Sequence, residues 1–148
     1  MAIYDCFTFY NEYELLEWRL KMLYDVVDLF VIVEGNRTFQ NKPKEFNFPK
    51  YKTLFAPYEK KIRYVAIEEE MPYDSDWSIE IFQRNYIKNA LVDCKDDDII
   101  LLSDVDEFAA ACAFSPVSSS MRLRSILVKS HALPALPMSS ASAMPKSA

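Results

Sequence analysis

The chain reads as an α/β domain built on a mainly parallel sheet, and three observations carry that reading. Four short apolar runs recur along the first two thirds of the sequence, each the length of a buried strand. Segments with helical spacing or polar loops separate them, so strand and helix alternate and the crossovers are right-handed. The last run, Ile99-Ile100-Leu101-Leu102, ends in Ser103-Asp104-Val105-Asp106-Glu107, which crowds carboxylates where open α/β sheets bind their ligands.

Each element follows from its residues. Ile3–Thr8 alternates and reads as the first strand. Asn11 has the chemistry of an N-cap, with Glu14 completing a capping-box pair and Tyr10 and Leu15 a hydrophobic staple. Leu15, Leu16, Leu20 and Leu23 make the inner face of a helix running to about Tyr24. Leu29–Glu34 is a second buried strand. Residues 35–48 form a polar loop containing Asn36, Asn41, Lys42 and Pro43, and Pro49 suits the first turn of a short helix ending before Pro57. Ile62–Ile67 is the third strand, followed by an acidic loop through Asp76. A helix over Ser78–Val92 buries Ile79, Phe82, Tyr86 and Ala90, and Asp98–Ser103 is the fourth strand. Trp18 and Trp77 read as packing residues. If strand one is central with strand four beside it, a crevice opens between their carboxyl ends. Asn11 and Glu12 then face Asp104 and Asp106 across it, with Glu34 next in line.

Composition limits the function classes. With 148 residues, of which 51% are apolar, the chain holds one domain with a real core. Its single glycine, Gly35, leaves no Gly-rich phosphate loop. The net charge of -5 provides no basic stripe for a nucleic-acid backbone. The three cysteines lack metal-ligand spacing, and Cys6 sits in an apolar strand as a buried thiol. No basic leader and no apolar run of membrane length is present, so the expectation is a cytoplasmic protein with no membrane span. The composition shifts at Phe108. Residues 1–108 hold every acidic residue and all but one of the aromatics, whereas 109–148 are mostly Ala, Ser, Pro and Met. The expected organisation is a folded part over 1–108 and a low-complexity, disordered tail over 109–148.

The chemistry concentrates at Asp104 and Asp106. Two apart in an extended segment, their side chains point the same way. Converging carboxylates repel unless a cation lies between them, and a hard divalent ion that also grips phosphates meets that need. A strand-end turn is the plainer alternative for these two residues. Asp96, Asp97 and Asp98, at the opposite end of the same strand, read as a solvated turn. An EF-hand is excluded by the missing glycine. An Asp-x-Asp phosphatase fits poorly, because that motif belongs on an early strand. Arg84 shares a helix face with Glu80, so an i,i+4 pair competes with a role in gripping phosphate or carboxylate. No Ser-His-Asp or Cys-His set can be assembled from 1–108.

Together these residues resemble glycosyltransferase family 17. The likeness runs through Ile3-Tyr4-Asp5-Cys6-Phe7-Thr8-Phe9-Tyr10-Asn11-Glu12, Leu15-Leu16-Glu17-Trp18-Arg19-Leu20, Tyr24-Asp25-Val26-Val27-Asp28 and Phe30-Val31-Ile32-Val33-Glu34. It continues in Lys42-Pro43, Gln83-Arg84-Asn85-Tyr86-Ile87 and Ser103-Asp104-Val105-Asp106-Glu107. The resemblance is collinear over about residues 2–108. It implies a GT-A-like nucleotide-sugar fold and transfer of N-acetylglucosamine from UDP-GlcNAc to a glycan acceptor. It implies Mn²⁺ or Mg²⁺ held by Asp104 and Asp106 against the donor diphosphate, and donor contacts from Asn11, Glu12, Glu34 and Arg84. The chain departs from the family after Glu107, where nothing acidic follows to supply a base. The expectation is therefore a truncated, impaired member. Its rival is a catalytically inactive nucleotide-sugar-binding fragment.

Overall fold

The computed structural model describes residues 1–75 and 77–107; the expected boundary at Phe108, the tail, Cys112 and His131 lie outside the described residues. Strand β1 (Ile3–Thr8) leads to helix α1 (Tyr13–Leu23) and strand β2 (Leu29–Gly35). Two 3₁₀ turns, Phe48–Tyr51 and Ala56–Lys61, precede β3 (Ile62–Ile67). Helix α2 (Ser78–Tyr86) runs on as a 3₁₀ turn over Ile87–Ala90, and β4 (Ile99–Leu102) ends the described elements. The sheet order is β3-β2-β1-β4 with every pairing parallel. Successive strands step one way from β1 to β3, and β4 then returns to the other side of β1. The switch point lies between β1 and β4.

Burial explains that order. β1 and β2 are buried on both faces and take the centre, while β3 and β4 are half-buried edges. Alternation splits the core in two. Phe7, Phe30 and Ile32 face α1, where Leu16, Leu20 and Leu23 pack with Phe9, Phe48 and Phe55. Cys6, Val31 and Val33 face α2 with Ile79, Ile87 and Met71. Each fully buried leucine of α1 contributes about 1.5–3 kcal/mol over leaving it in water. Burial and the neighbouring Asp5 charge push the Cys6 thiol up to about 12, so the strand holds an inert thiol, as expected. Gly35 ends β2 where a Cβ would run into the Gln83 side chain, so the chain's one glycine serves a close approach of sheet to helix.

Several local expectations are corrected. The helix N-cap is Glu12 rather than Asn11, and its carboxylate reaches back to the amides of Tyr10 and Asn11, both at 3.1 Å. Leu15 is 39% exposed because the helix turns Leu16, Leu20 and Leu23 inward. The buried stripe of α2 is Ile79, Gln83, Ile87 and Ala90, one residue round from the Phe82 and Tyr86 expected. The short helix expected from Pro49 is a 3₁₀ turn, Phe48–Tyr51, which ends before Pro57 as expected, and a second 3₁₀ turn starts around Pro57 itself. Trp18 and Trp77 are each 67% exposed and pack little of the core. No helix among the described residues is long and apolar enough to cross a membrane. The architecture is an α/β, Rossmann-like parallel sheet with helices on both faces.

Candidate functional site

A cleft of about 720 Å³ opens at the carboxyl ends of β1 and β4, the switch point of the sheet. Thr8 and Tyr10 come to it from the end of β1 and Glu12 from the start of α1. Glu80 and Gln83 reach it from α2, and Asp104 and Asp106 from the turn after β4. Arg37 and Lys42 belong to the same wall lining.

Each group arrives for a local reason. Asp104 and Asp106 flank Val105, which is only 7% exposed and packs into the α1-side core. Burying that valine leaves the two aspartates on the cleft. The turn closes on itself: Glu107 N–H donates to the Asp104 carbonyl at 3.0 Å, and the Asp104 amide donates to the Glu107 carboxylate at 3.2 Å. Glu107 thus holds the turn with its side chain, and the carboxylates left for the cleft are Asp104 and Asp106. Beneath the turn, Arg19 of α1 is fully buried and paired with Asp5 of β1 at 2.7 Å.

Arg84 of α2 meets Asp104 directly and also pairs with Glu80 at 3.2 Å, so both readings of this arginine find a carboxylate partner. Its Nε is buried without a hydrogen-bond partner among the described residues. Both carboxylates are met through Nη2, so the guanidinium sits between two acids with further donors to spare.

Glu34 lies at the end of β2 but beneath the surface, 0% exposed. Its oxygens accept from Lys44 Nζ at 2.7 Å, the Asn47 amide at 2.6 Å, the Phe48 amide at 3.0 Å and the Tyr64 hydroxyl at 2.9 Å. Four donors meet the lone pairs of one carboxylate, so Glu34 ties down the far end of the 36–48 loop rather than lining the cleft. Burial and the Glu34 charge raise the Tyr64 hydroxyl in turn. Above that anchor the loop folds as a hairpin: Arg37 bridges Pro43, and Asn41 takes the left-handed conformation at φ 60°. The hairpin is what carries Arg37 and Lys42 to the cleft; the sequence places Lys42 in this polar loop and does not single out Arg37. Asn11 is exposed and lies on a neighbouring shallow depression with Lys44 and Asn47. Glu12, Asp104, Asp106 and, through its ion pair, Arg84 come together; Glu34 and Asn11 stand apart from them.

The sequence of glycosyltransferase family 17 matches residues 1–116. The chain belongs to that family. Two relatives, the β-1,4-mannosyl-glycoprotein 4-β-N-acetylglucosaminyltransferases of Homo sapiens and Rattus norvegicus, are each 29% identical over 108 residues, covering 68% of this chain and 20% of their own length. The enzyme of that name from Mus musculus is 28% identical over the same span. This family 17 chain thus spans about a fifth of the length of the curated relatives it matches. No solved structure matches it.

The donor set at the cleft suits one kind of metal. Among the described residues no group of three or more His, Cys, Asp or Glu side chains could hold an ion by itself. Two carboxylates on one cleft match a hard cation that keeps waters and takes its remaining oxygens from phosphate, and do not match a zinc or calcium cage.

Proposed function

We propose that this chain forms the donor-binding part of a metal-dependent N-acetylglucosaminyltransferase that takes UDP-GlcNAc and transfers its sugar to a glycan acceptor. The observation that carries this reading is the placement of Asp104 and Asp106 together on the switch-point cleft of a family 17 chain. These two carboxylates would hold Mn²⁺ or Mg²⁺. When bound, the ion neutralises charge on a departing diphosphate, worth several kcal/mol of barrier.

The chain's own residues supply the rest. Arg84, whose Nη2 meets Asp104, would turn toward a phosphate oxygen once a cation shares that aspartate. Glu12 keeps its carboxylate at the cleft edge by gripping the amides before α1, where it can accept from donor hydroxyls. Asn11 contributes from the rim. Glu34 acts at one remove, through the loop it anchors.

Isothermal titration of UDP-GlcNAc with and without Mn²⁺ tests the reading. Affinity that requires the metal and disappears in Asp104→Ala or Asp106→Ala supports it; equal affinity in wild type and both variants overturns it.

One observation favours a second reading, donor binding without transfer. Glu12 is engaged by two amides and Glu80 by Arg84, so Asp106 is the sole cleft carboxylate without a described partner, and the metal reading claims it. An inverting transfer needs a base. Radiolabelled sugar appearing on a glycan acceptor would exclude this second reading, and metal-dependent UDP binding without it would establish it.

A further inference from the structure

Arg19 is an unusual helix residue: a guanidinium with 0% exposure, in the layer between α1 and the sheet. Asp5, on the same face of β1, accepts from its Nε at 2.8 Å and its Nη2 at 2.7 Å. This two-point grip fixes the guanidinium plane. The other edge points at the turn after β4. Nη2 donates to Ser103 Oγ at 2.6 Å, and Nη1 faces the carbonyls of Asp104 at 2.7 Å, Val105 at 3.1 Å and Glu107 at 2.7 Å. Ser103 Oγ closes the ring by donating to the Glu107 carbonyl at 3.1 Å. The Phe7 ring lies under the cation, 4.6 Å from its centroid.

We propose that Arg19 is the positioning residue of the acidic turn: by gathering the carbonyls of residues 104, 105 and 107 onto one guanidinium, it holds Asp104 and Asp106 toward the cleft together and thereby sets their affinity for a divalent cation. The inference rests on the metal reading above and deepens it. The physical case is one of geometry and charge. A turn carrying three acidic side chains within four residues repels itself. Carbonyls that converge on a point need donors at that point, and a cationic donor binds them more strongly than a neutral one. Arg19 meets both needs from below, which leaves the upper side to the carboxylates and a metal. Asp5 matters because it neutralises and orients Arg19 without reaching the cleft. Lysine would keep the charge beside Asp5, but its compact ammonium cannot span from Asp5 to the turn.

Arg19→Lys and Ser103→Ala test this, with three readouts: Mn²⁺ affinity from the electron paramagnetic resonance of the free ion, amide hydrogen exchange over residues 103–107 without metal, and the thermal midpoint. Expected for folded Arg19→Lys is Mn²⁺ binding weaker by about tenfold to a hundredfold, the range for residues that orient metal ligands, with faster exchange across 103–107. Ser103→Ala, which cuts one link, weakens binding a few-fold and decides the matter if Arg19→Lys does not fold. A role confined to holding the fold together would lower the midpoint yet leave the folded protein's Mn²⁺ affinity unchanged, and that result overturns the inference while sparing the metal reading. Wild type that binds no Mn²⁺ overturns the metal reading and the affinity claim with it. Unaltered exchange over 103–107 would further show that Arg19 does not fix the turn.

Discussion

Strand β4 has aspartates at both ends, and the two clusters do opposite things. At its amino end Asp98 is nearly buried, its carboxylate accepting from the Ala2 amide at 2.6 Å and the Lys95 amide at 2.8 Å. Asp97 meets the Met1 amino group at 3.2 Å. At the carboxyl end the backbone presents carbonyls, and these go to Arg19. The carboxylates there are left to face the cleft. Which carboxylates are engaged depends on which unpaired backbone groups the turn at each end brings to them. At the amino end amides consume Asp98; at the carboxyl end Glu107 takes a turn amide, while Asp104 and Asp106 stay on the cleft. The expected solvated turn at residues 96–98 therefore holds for the exposed Asp96 and Asp97 and fails for Asp98, which anchors the first and last strands to each other.

The largest way to break this contrast is at the carboxyl end. Asp104→Ala or Asp106→Ala should lower Mn²⁺-dependent UDP affinity by more than about a hundredfold with the circular dichroism of the fold intact, since under the proposed function each removes one of two protein ligands. Next comes the support beneath the turn. Asp5→Asn leaves Arg19 buried without its counter-charge and should cost about 3–5 kcal/mol in urea unfolding, the range for breaking a buried pair.

Smaller effects follow at the amino end. The amides of Lys95 and Ala2 hold the Asp98 carboxyl below the usual carboxylate range. Its folded value is depressed, so its contribution is present above the unfolded pKa of 3.8 and is lost as pH falls below that into the folded value. Asp98→Ala should therefore lower stability at pH 7 and flatten the acid limb of the stability curve, leaving Mn²⁺ affinity unchanged. An independent acid-sensitive tie is Asp93, lowered to about 2 by its hydrogen bonds to Arg63, whose contribution fades between about pH 4 and pH 2. Asp97→Asn is the smallest change. It removes an exposed ion pair and should alter neither stability nor metal affinity measurably. A metal-binding loss in Asp97→Asn would erase the distinction between the two ends.

The legible part of this protein is the part written in short-range pattern. β1 and β3 fall on the residues whose alternation and β-branching foretold them, and strand four pairs beside strand one as the crevice required. Glu12, Asp104 and Asp106 reach a common cleft as their places after the strands implied. Arg19 escaped notice because a charged residue on a helix reads as solvated. Only acceptors brought from β1 and from beyond β4, 14 and more than 80 positions away, turn it inward. Glu34 misled for the mirror reason: a polar residue ending a strand reads as a rim group until Lys44, Tyr64 and two amides close over it. Trp18 and Trp77 show the same limit from the apolar side, since ring size says nothing about which way a helix faces.

By itself, the order of residues determined the alternating parallel sheet, the family, and the gathering of carboxylates at the end of β4, because strand period, crossover handedness and local motifs act over a few neighbours. The tertiary structure decided which charges are spent and which are spare. Arg19, Glu34 and Asp98 are consumed by backbone groups; Asp104 shares Arg84, and Asp106 faces the cleft. That division depends on the dehydrated interior, where each buried polar group must find a partner from a distant part of the chain.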